Sequence, residues 1–260
     1  MKTYIMCSGG KDSVATCILA YENKIPIDGV VIGEVMFDHS RNISAEHPIH
    51  ADWLHNVLIP TLEDKFKYKV IFLKSKDDYI SIFNTRTNGS KKNPQRAGKK
   101  RGFPLGLRCV IRRDLKVKPI NDWCKNQGEF VKILGIAYDE KVRLERMHQR
   151  KNERSLMEEY SITEKKAFEI CKKYNLLSPY YGLGLKRQGC WFCPNCSIKT
   201  FSKFAKDYPY LWNELRILSL DKEMVSPNFR YGMTFAQVDK QIMEINNQVT
   251  MFDLLEDKGE

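Results

Sequence analysis

The sequence predicts an α/β fold: a Rossmann-like doubly wound parallel sheet, followed by a mainly helical region that carries cysteines. Three observations predict it. Short runs rich in Val, Ile and Phe alternate with stretches of helical periodicity over residues 1–150, and such runs fit strands buried on both faces. Their strand–helix–strand–helix–strand order builds a parallel sheet through right-handed crossovers. The first strand also runs directly into a glycine turn that opens a helix, at the carboxyl edge where such sheets hold ligands.

The elements follow in order. Thr3–Met6 is the first strand, Ser8-Gly9-Gly10-Lys11-Asp12-Ser13 the turn, and Val14, Cys17, Ile18 and Tyr21 give the helix its apolar spacing. Gly29–Phe37 is the second strand. Leu54, Leu58 and Leu62, with Val57 and Phe66, mark an amphipathic helix before the third strand, Tyr68–Leu73. Residues 84–106 break the pattern: they hold seven Lys or Arg residues, no acid, and several Gly and Pro, which makes them a long basic insertion. Phe130–Ile136 is the fourth strand. Beyond Lys151 the chain reads as helical, with Ser161-Ile162-Thr163-Glu164 opening a helix and Pro179 closing that stretch. The expected domains are therefore 1–150 and 151–260.

Composition narrows the function. At 42% apolar and 29% charged residues the chain is globular, and no run approaches the ~18 apolar residues of a membrane span. The first strand starts too early for a signal peptide, so the cytoplasm is expected. Eight cysteines then read as thiols or ligands rather than disulfides. A net charge of +11 favours a polyanionic partner.

The glycine turn carries the most specific chemistry. Gly9 and Gly10 free backbone N–H groups that converge with the first turn of the helix, Ser8 and Ser13 add hydroxyls, and Lys11 adds a positive charge. The spacing is not that of a Walker A loop. It resembles the PP-loop of ATP-pyrophosphatase-type enzymes, in the adenine-nucleotide α-hydrolase-like superfamily. The resemblance implies ATP or a related adenine nucleotide at Ser8, Gly9, Gly10, Lys11, Asp12 and Ser13, with chemistry at the α-phosphate and the pyrophosphate held by the loop. A triphosphate needs Mg²⁺, which takes one or two carboxylates. Asp12 is the first candidate, with Asp38, Asp139 and Glu140 behind it. Arg143, Arg146, Arg112, Arg113 and Lys116 are candidates for holding phosphates.

The second motif is Cys190-Trp191-Phe192-Cys193-Pro194-Asn195-Cys196. Its spacing gathers three thiolates around one turn, and Gly189 admits the tight bend. Cys109, in Gly106-Leu107-Arg108-Cys109 before a basic helix, is the expected fourth ligand. Four thiolates suit Zn²⁺ or a [4Fe-4S] cluster equally; a redox dithiol is the plainer alternative. Cys7, Cys17, Cys124 and Cys171 read as core residues.

Taken together, the PP-loop, Arg108-Cys109 with the basic residues after it, Gly135-Ile136-Ala137-Tyr138-Asp139-Glu140, and Tyr181 through Pro194 resemble phosphoadenosine-phosphosulfate (PAPS) reductase-like proteins over residues 1–200. Lys11 and Asp12 complete the ATP-pyrophosphatase form of the loop, which such reductases carry weakened. No cysteine follows Cys196 to serve as their C-terminal nucleophile. The expected function is therefore adenylation of an acceptor with release of pyrophosphate, sulfur transfer being one outcome. Sulfonucleotide reduction and a non-enzymatic nucleotide-dependent nucleic-acid-binding module are the alternatives.

Basic segment 86–101 points to phosphate contacts on a nucleic-acid acceptor. His39, His47, His50 and His55 fall close together, but Pro48 interrupts a helical ligand pair, so caps or substrate-loop contacts are expected there. Gln248-Val249-Thr250-Met251-Phe252 resembles a sliding-clamp docking peptide; a packed terminal helix is the plainer reading.

Overall fold

The computed structural model describes residues 1–106, 109–185 and 188–256, the side chains of 248–256 excepted. Leu107, Arg108, Lys186 and Arg187, which belong to expected motifs, lie outside the described residues.

The chain begins with β1 (Lys2–Cys7), α1 (Lys11–Glu22), β2 (Gly29–Glu34), β3 (Met36–Asp38), β4 (Ile43–Ser44) and α2 (Pro48–Trp53). Next come β5 (Val70–Lys74), α3 (Tyr79–Asn84), α4 (Lys118–Lys125), β6 (Phe130–Leu134), α5 (Lys141–His148), β7 (Glu153–Arg154), α6 (Leu156–Glu159) and α7 (Glu164–Lys173). The last elements are α8 (Ile198–Asp207), α9 (Pro209–Ser219), β8 (Asn228–Arg230), β9 (Met233–Thr234) and α10 (Phe235–Glu256).

They form two compact units. One comprises Met1–Lys76 and Arg112–Gly189; the other comprises Asp77–Ile111 and Cys190–Glu260. The boundary expected at residue 150 is corrected by this division. The basic insertion belongs with the cysteine-bearing region, because Phe103 packs on Phe229 and Phe235 and Lys100 N–H donates to Glu223 O at 3.0 Å. Residues 151–189 stay with the sheet, where α7 buries Ala167 and Cys171 in the same core as α1.

The sheet of the first unit is five-stranded, in the order β5-β2-β1-β6-β7, and every pairing is parallel. This is the doubly wound arrangement, with its switch point between β1 and β6. Alternation along the strands sorts the two faces. Ile5, Cys7, Val30 and Ile32 join the core made with α1, α6 and α7, while Tyr4 turns to Trp123 of α4 on the other face, ring centroids 5.0 Å apart. β7 was not anticipated: Glu153–Arg154 has no apolar run to announce it. The helix expected at Leu54, Leu58 and Leu62 is present, and all three are buried. It continues α2 through π-type turns at Leu54–Leu58 and Thr61–Lys65. Pro60 lies between those turns and has no N–H to give a regular helix, which the wider register absorbs.

One contact sets the position of the loop. A Cβ on Gly135, just after β6, would lie 2.7 Å from Ser13 N and 2.8 Å from Asp12 C. The turn after β6 can press on the first turn of α1 only because glycine stands there. We expect Gly135→Ala to lower unfolding free energy by ~1–3 kcal/mol in urea melts. Gly182→Ala, where an added Cβ meets nothing within 4 Å, should leave the midpoint nearly unchanged.

Candidate functional site

β1 delivers the chain to the loop, and Gly9 turns it with φ +76°, a left-handed conformation suited to glycine. Such a turn followed by a helix start forms a concave array of N–H groups that binds anions. Gly10 caps α1 without any side-chain cap. Ser13 ties the loop together: its Oγ accepts from Ser8 N–H at 3.1 Å and donates to Gly10 O at 2.9 Å. Gly10 N–H reaches Ser8 Oγ at 3.3 Å, and Lys11 N–H reaches the Tyr181 hydroxyl at 3.1 Å.

Charge gathers at the same place. Lys11 Nζ bonds both carboxylate oxygens of Asp12, at 2.8 and 2.9 Å, and lies 3.4 Å from Glu164 Oε2. Burial pushes the Asp12 carboxyl up, against the pull of Lys11, and Glu164 and Glu140 add to the rise. Asp12, Glu140 and Glu164 thus share one field around a single lysine.

The structure brings Ser8, Gly9, Gly10, Lys11, Asp12 and Ser13 together as the sequence leads one to expect. Asp38, Asp139, Glu140, Arg143, Lys116 and Arg113 are committed locally. Asp38 ends β3 and accepts from Ser40 N and Oγ and from Arg41 Nε, at 2.8, 2.6 and 2.7 Å. Burial raises its pKa, but these hydrogen bonds prevail and hold the carboxyl at about 2. Asp139 accepts from Glu164 N–H at 3.1 Å, at the start of α7. Glu140 accepts from Ala137 N–H at 3.2 Å and pairs with Arg143 at 2.5 Å. Lys116 pairs with buried Glu46 at 2.9 Å, and Arg113 with its neighbour Asp114.

Sequence reasoning did not assign three partners of the loop, Glu164, Tyr181 and Gln188, and for His50 it expected only a cap or a substrate-loop contact. Tyr181 and Gln188 fall in a segment read only as leading to the cysteines. His50 is 1% exposed; it bonds Ser178 Oγ at 2.9 Å and faces Ser8 O at 3.4 Å. His39 bonds Ser75 O, and His55 faces Glu34.

The second unit holds the cysteine motif. Cys193 N–H bonds Cys190 O and Cys196 N–H bonds Cys193 O, both at 2.9 Å, forming two successive tight turns. Cys109, Cys190 and Cys193 line a pocket of about 140 Å³ together with Phe192, Asn195 and Tyr231. The Cys196 thiol is hydrogen-bonded to Cys193, and that bond, then burial, drives its pKa far up. None of the eight cysteines, all described, is disulfide-bonded. Among the described residues no three His, Cys, Asp or Glu side chains already converge as a metal centre. The donor set still fits a soft metal, since cysteine sulfur binds as the soft thiolate and gives up its proton when a cation takes its place. Cys7, Cys17, Cys124 and Cys171 are buried, as core residues should be.

In the same unit the basic segment forms a closed hairpin. Arg86 and Lys100 bridge across it, and they pair with Glu223 and Asp221 at 2.7 and 2.6 Å. Lys91, Lys92, Arg96 and Lys99 are exposed along it. Gln248–Phe252 lie in α10, where the side chains are outside the described residues. Among the described residues no helix is long and apolar enough to cross a membrane.

No protein-family model and no curated protein matches the chain. Solved structures that resemble it include two enzymes. PAPS reductase from Candida auris, in a phosphate complex, is 10% identical, with 74% of this chain and 82% of that one covered and a TM-score of 0.46. The U34-tRNA thiolase NcsA from Methanococcus maripaludis, with its [4Fe-4S] cluster, is 15% identical, with 85% and 73% covered and a TM-score of 0.43.

Burial lowers the pKa of His50 most; Lys116 also lowers it, while Glu46 and the Ser8 carbonyl oppose the shift. The native state therefore binds fewer protons than the unfolded chain just below the ordinary histidine pKa. Stability should be full above about pH 6.5 and fall as pH drops below it. Urea midpoints measured between about pH 8 and about pH 5.5 should show this loss, and His50→Gln should flatten it. The sheet order, with the glycine loop at its switch point, identifies a Rossmann-like α/β fold.

Proposed function

We propose that the chain is a PP-loop enzyme of the PAPS reductase-like kind that binds ATP with Mg²⁺ and adenylates an acceptor, releasing pyrophosphate. The observation that carries this reading is the loop itself: a left-handed glycine, a helix without a side-chain cap and a lysine, gathered where a doubly wound sheet takes its ligands.

In this reading Ser8, Gly9, Gly10 and Ser13 grip the β- and γ-phosphates through amides and hydroxyls. Lys11 neutralises the charge that builds on the departing pyrophosphate. Asp12, with Glu140 and Glu164 nearby, would supply the carboxylates for Mg²⁺, which would serve to offset phosphate charge. An acceptor oxygen attacks the α-phosphorus as the bond to the β-phosphate oxygen breaks. Asp139 and Arg143 act on Glu164 and Glu140, keeping the carboxylates in place. Asp38 is held by Arg41, which argues for a local structural role rather than the Mg²⁺ contact expected of it. Positioning and electrostatics carry the rate, because such a transition state needs little covalent help.

The exposed lysines and arginines of the hairpin support a nucleic-acid acceptor gripped through its phosphates. Cys109, Cys190, Cys193 and Cys196 would hold Zn²⁺ or a [4Fe-4S] cluster, structural in the first case and open to sulfur chemistry in the second.

Pyrophosphate release from ATP should be measured with candidate RNA and DNA acceptors. Lys11→Ala should cut it by roughly a hundredfold or more. Sulfite release from labelled adenylyl sulfates with a thiol donor, in place of pyrophosphate release, would overturn adenylation in favour of reduction. For the cysteines, anaerobic Zn²⁺ titration should release protons, and Cys190→Ser should reduce that release; equal release from the variant would contradict the assignment.

A further inference from the structure

We propose that His50 and Gln188 are positioning residues for the glycine loop, holding the carbonyls of Ser8 and Gly9 inward so that the amides of the same peptides stay turned towards an anion. This rests on reading the loop as a pyrophosphate site.

Gly9 O can only accept, and Gln188 Nε2 lies 3.2 Å from it, so this atom is the amide nitrogen and donates. The same nitrogen lies 3.1 Å from His50 Nδ1, so Nδ1 accepts. Ser178 Oγ also lies 2.9 Å from that nitrogen. The ring proton therefore sits on Nε2, which faces Ser8 O at 3.4 Å. Both carbonyls are engaged from one side of the loop. In a trans peptide the C=O and N–H point in opposite directions. Holding Ser8 O inward turns Gly9 N–H outward, and holding Gly9 O inward does the same for Gly10 N–H, which meets the hydroxyl of exposed Ser8.

Shape adds to polarity. A Cβ on Gly9 would fall 2.7 Å from His50 Cε1 and 3.2 Å from Leu54 Cδ1, so the imidazole fills the floor on which the glycine turn rests. Trp53 lies beside the ring at 5.7 Å between centroids. A carbonyl that swung outward would present a partial negative charge to the phosphate, which is why the loop needs its carbonyls tied down as well as its amides exposed.

The test is calorimetric titration of the full chain with inorganic pyrophosphate, with thermal melts on the same samples. Gln188→Glu turns a donor into an acceptor facing Gly9 O and should weaken binding by about tenfold or more, and Gln188→Met by less. Gln188 is half-buried, so both variants should melt near the wild type. His50→Gln keeps a donor near Ser8 O and should retain most of the affinity, whereas His50→Leu should lose it. Folded Gln188→Glu and His50→Leu proteins that bind pyrophosphate like the wild type would overturn the inference while leaving the pyrophosphate site intact. So would His50→Gln losing as much as His50→Leu. A wild-type chain that fails to bind pyrophosphate would overturn the site and the inference together.

Discussion

The structure of the first unit depends on one close approach: the turn after β6 lies against the first turn of α1, with no room for a side chain between them. That contact fixes where the helix begins relative to the switch point of the sheet, and hence where its first-turn N–H groups aim. The rest of the site is built around it. Ser13 ties the loop to the helix, Gly9 bends the chain, and α7 brings Glu164 to Lys11.

Electrostatics at this point is a balance rather than a single pair. Lys11 is occupied by Asp12 and shared with Glu164, and partial burial pushes the Asp12 carboxyl pKa up despite its partner. Under the proposed function this lysine would exchange a carboxylate for a phosphate of higher charge, and the carboxylate it released would be left for a divalent cation. Local ties absorb the other acids: Asp38 serves its own turn, and Glu140 the start of α5.

Much of this was legible in the sequence because local rules govern it. β1, the glycine turn and α1 follow from an apolar run, two glycines and helical spacing, and the buried leucines at 54, 58 and 62 from their period of four. What was not legible depends on long-range packing. Glu164, Gln188 and His50 reach the loop from sequence positions up to 179 residues away, and no local pattern marks them. β7 has too few residues and too much charge to read as a strand. The division of the chain into units was missed for a similar reason. A basic, glycine-containing stretch reads as a free insertion, yet Phe83 and Phe103 at its ends bind it into the aromatic core of the second unit.

The central claim is that the amides between β1 and α1 bind the diphosphate end of an adenine nucleotide. Amide NMR of ¹⁵N-labelled protein, titrated with a non-hydrolysable ATP analogue and Mg²⁺, tests it most directly. The account predicts that the signals of Gly9, Gly10 and Lys11 move most, in the direction of stronger hydrogen bonding, and saturate at one nucleotide per chain. It would be contradicted if those three signals stayed in place while the nucleotide bound and shifted amides elsewhere.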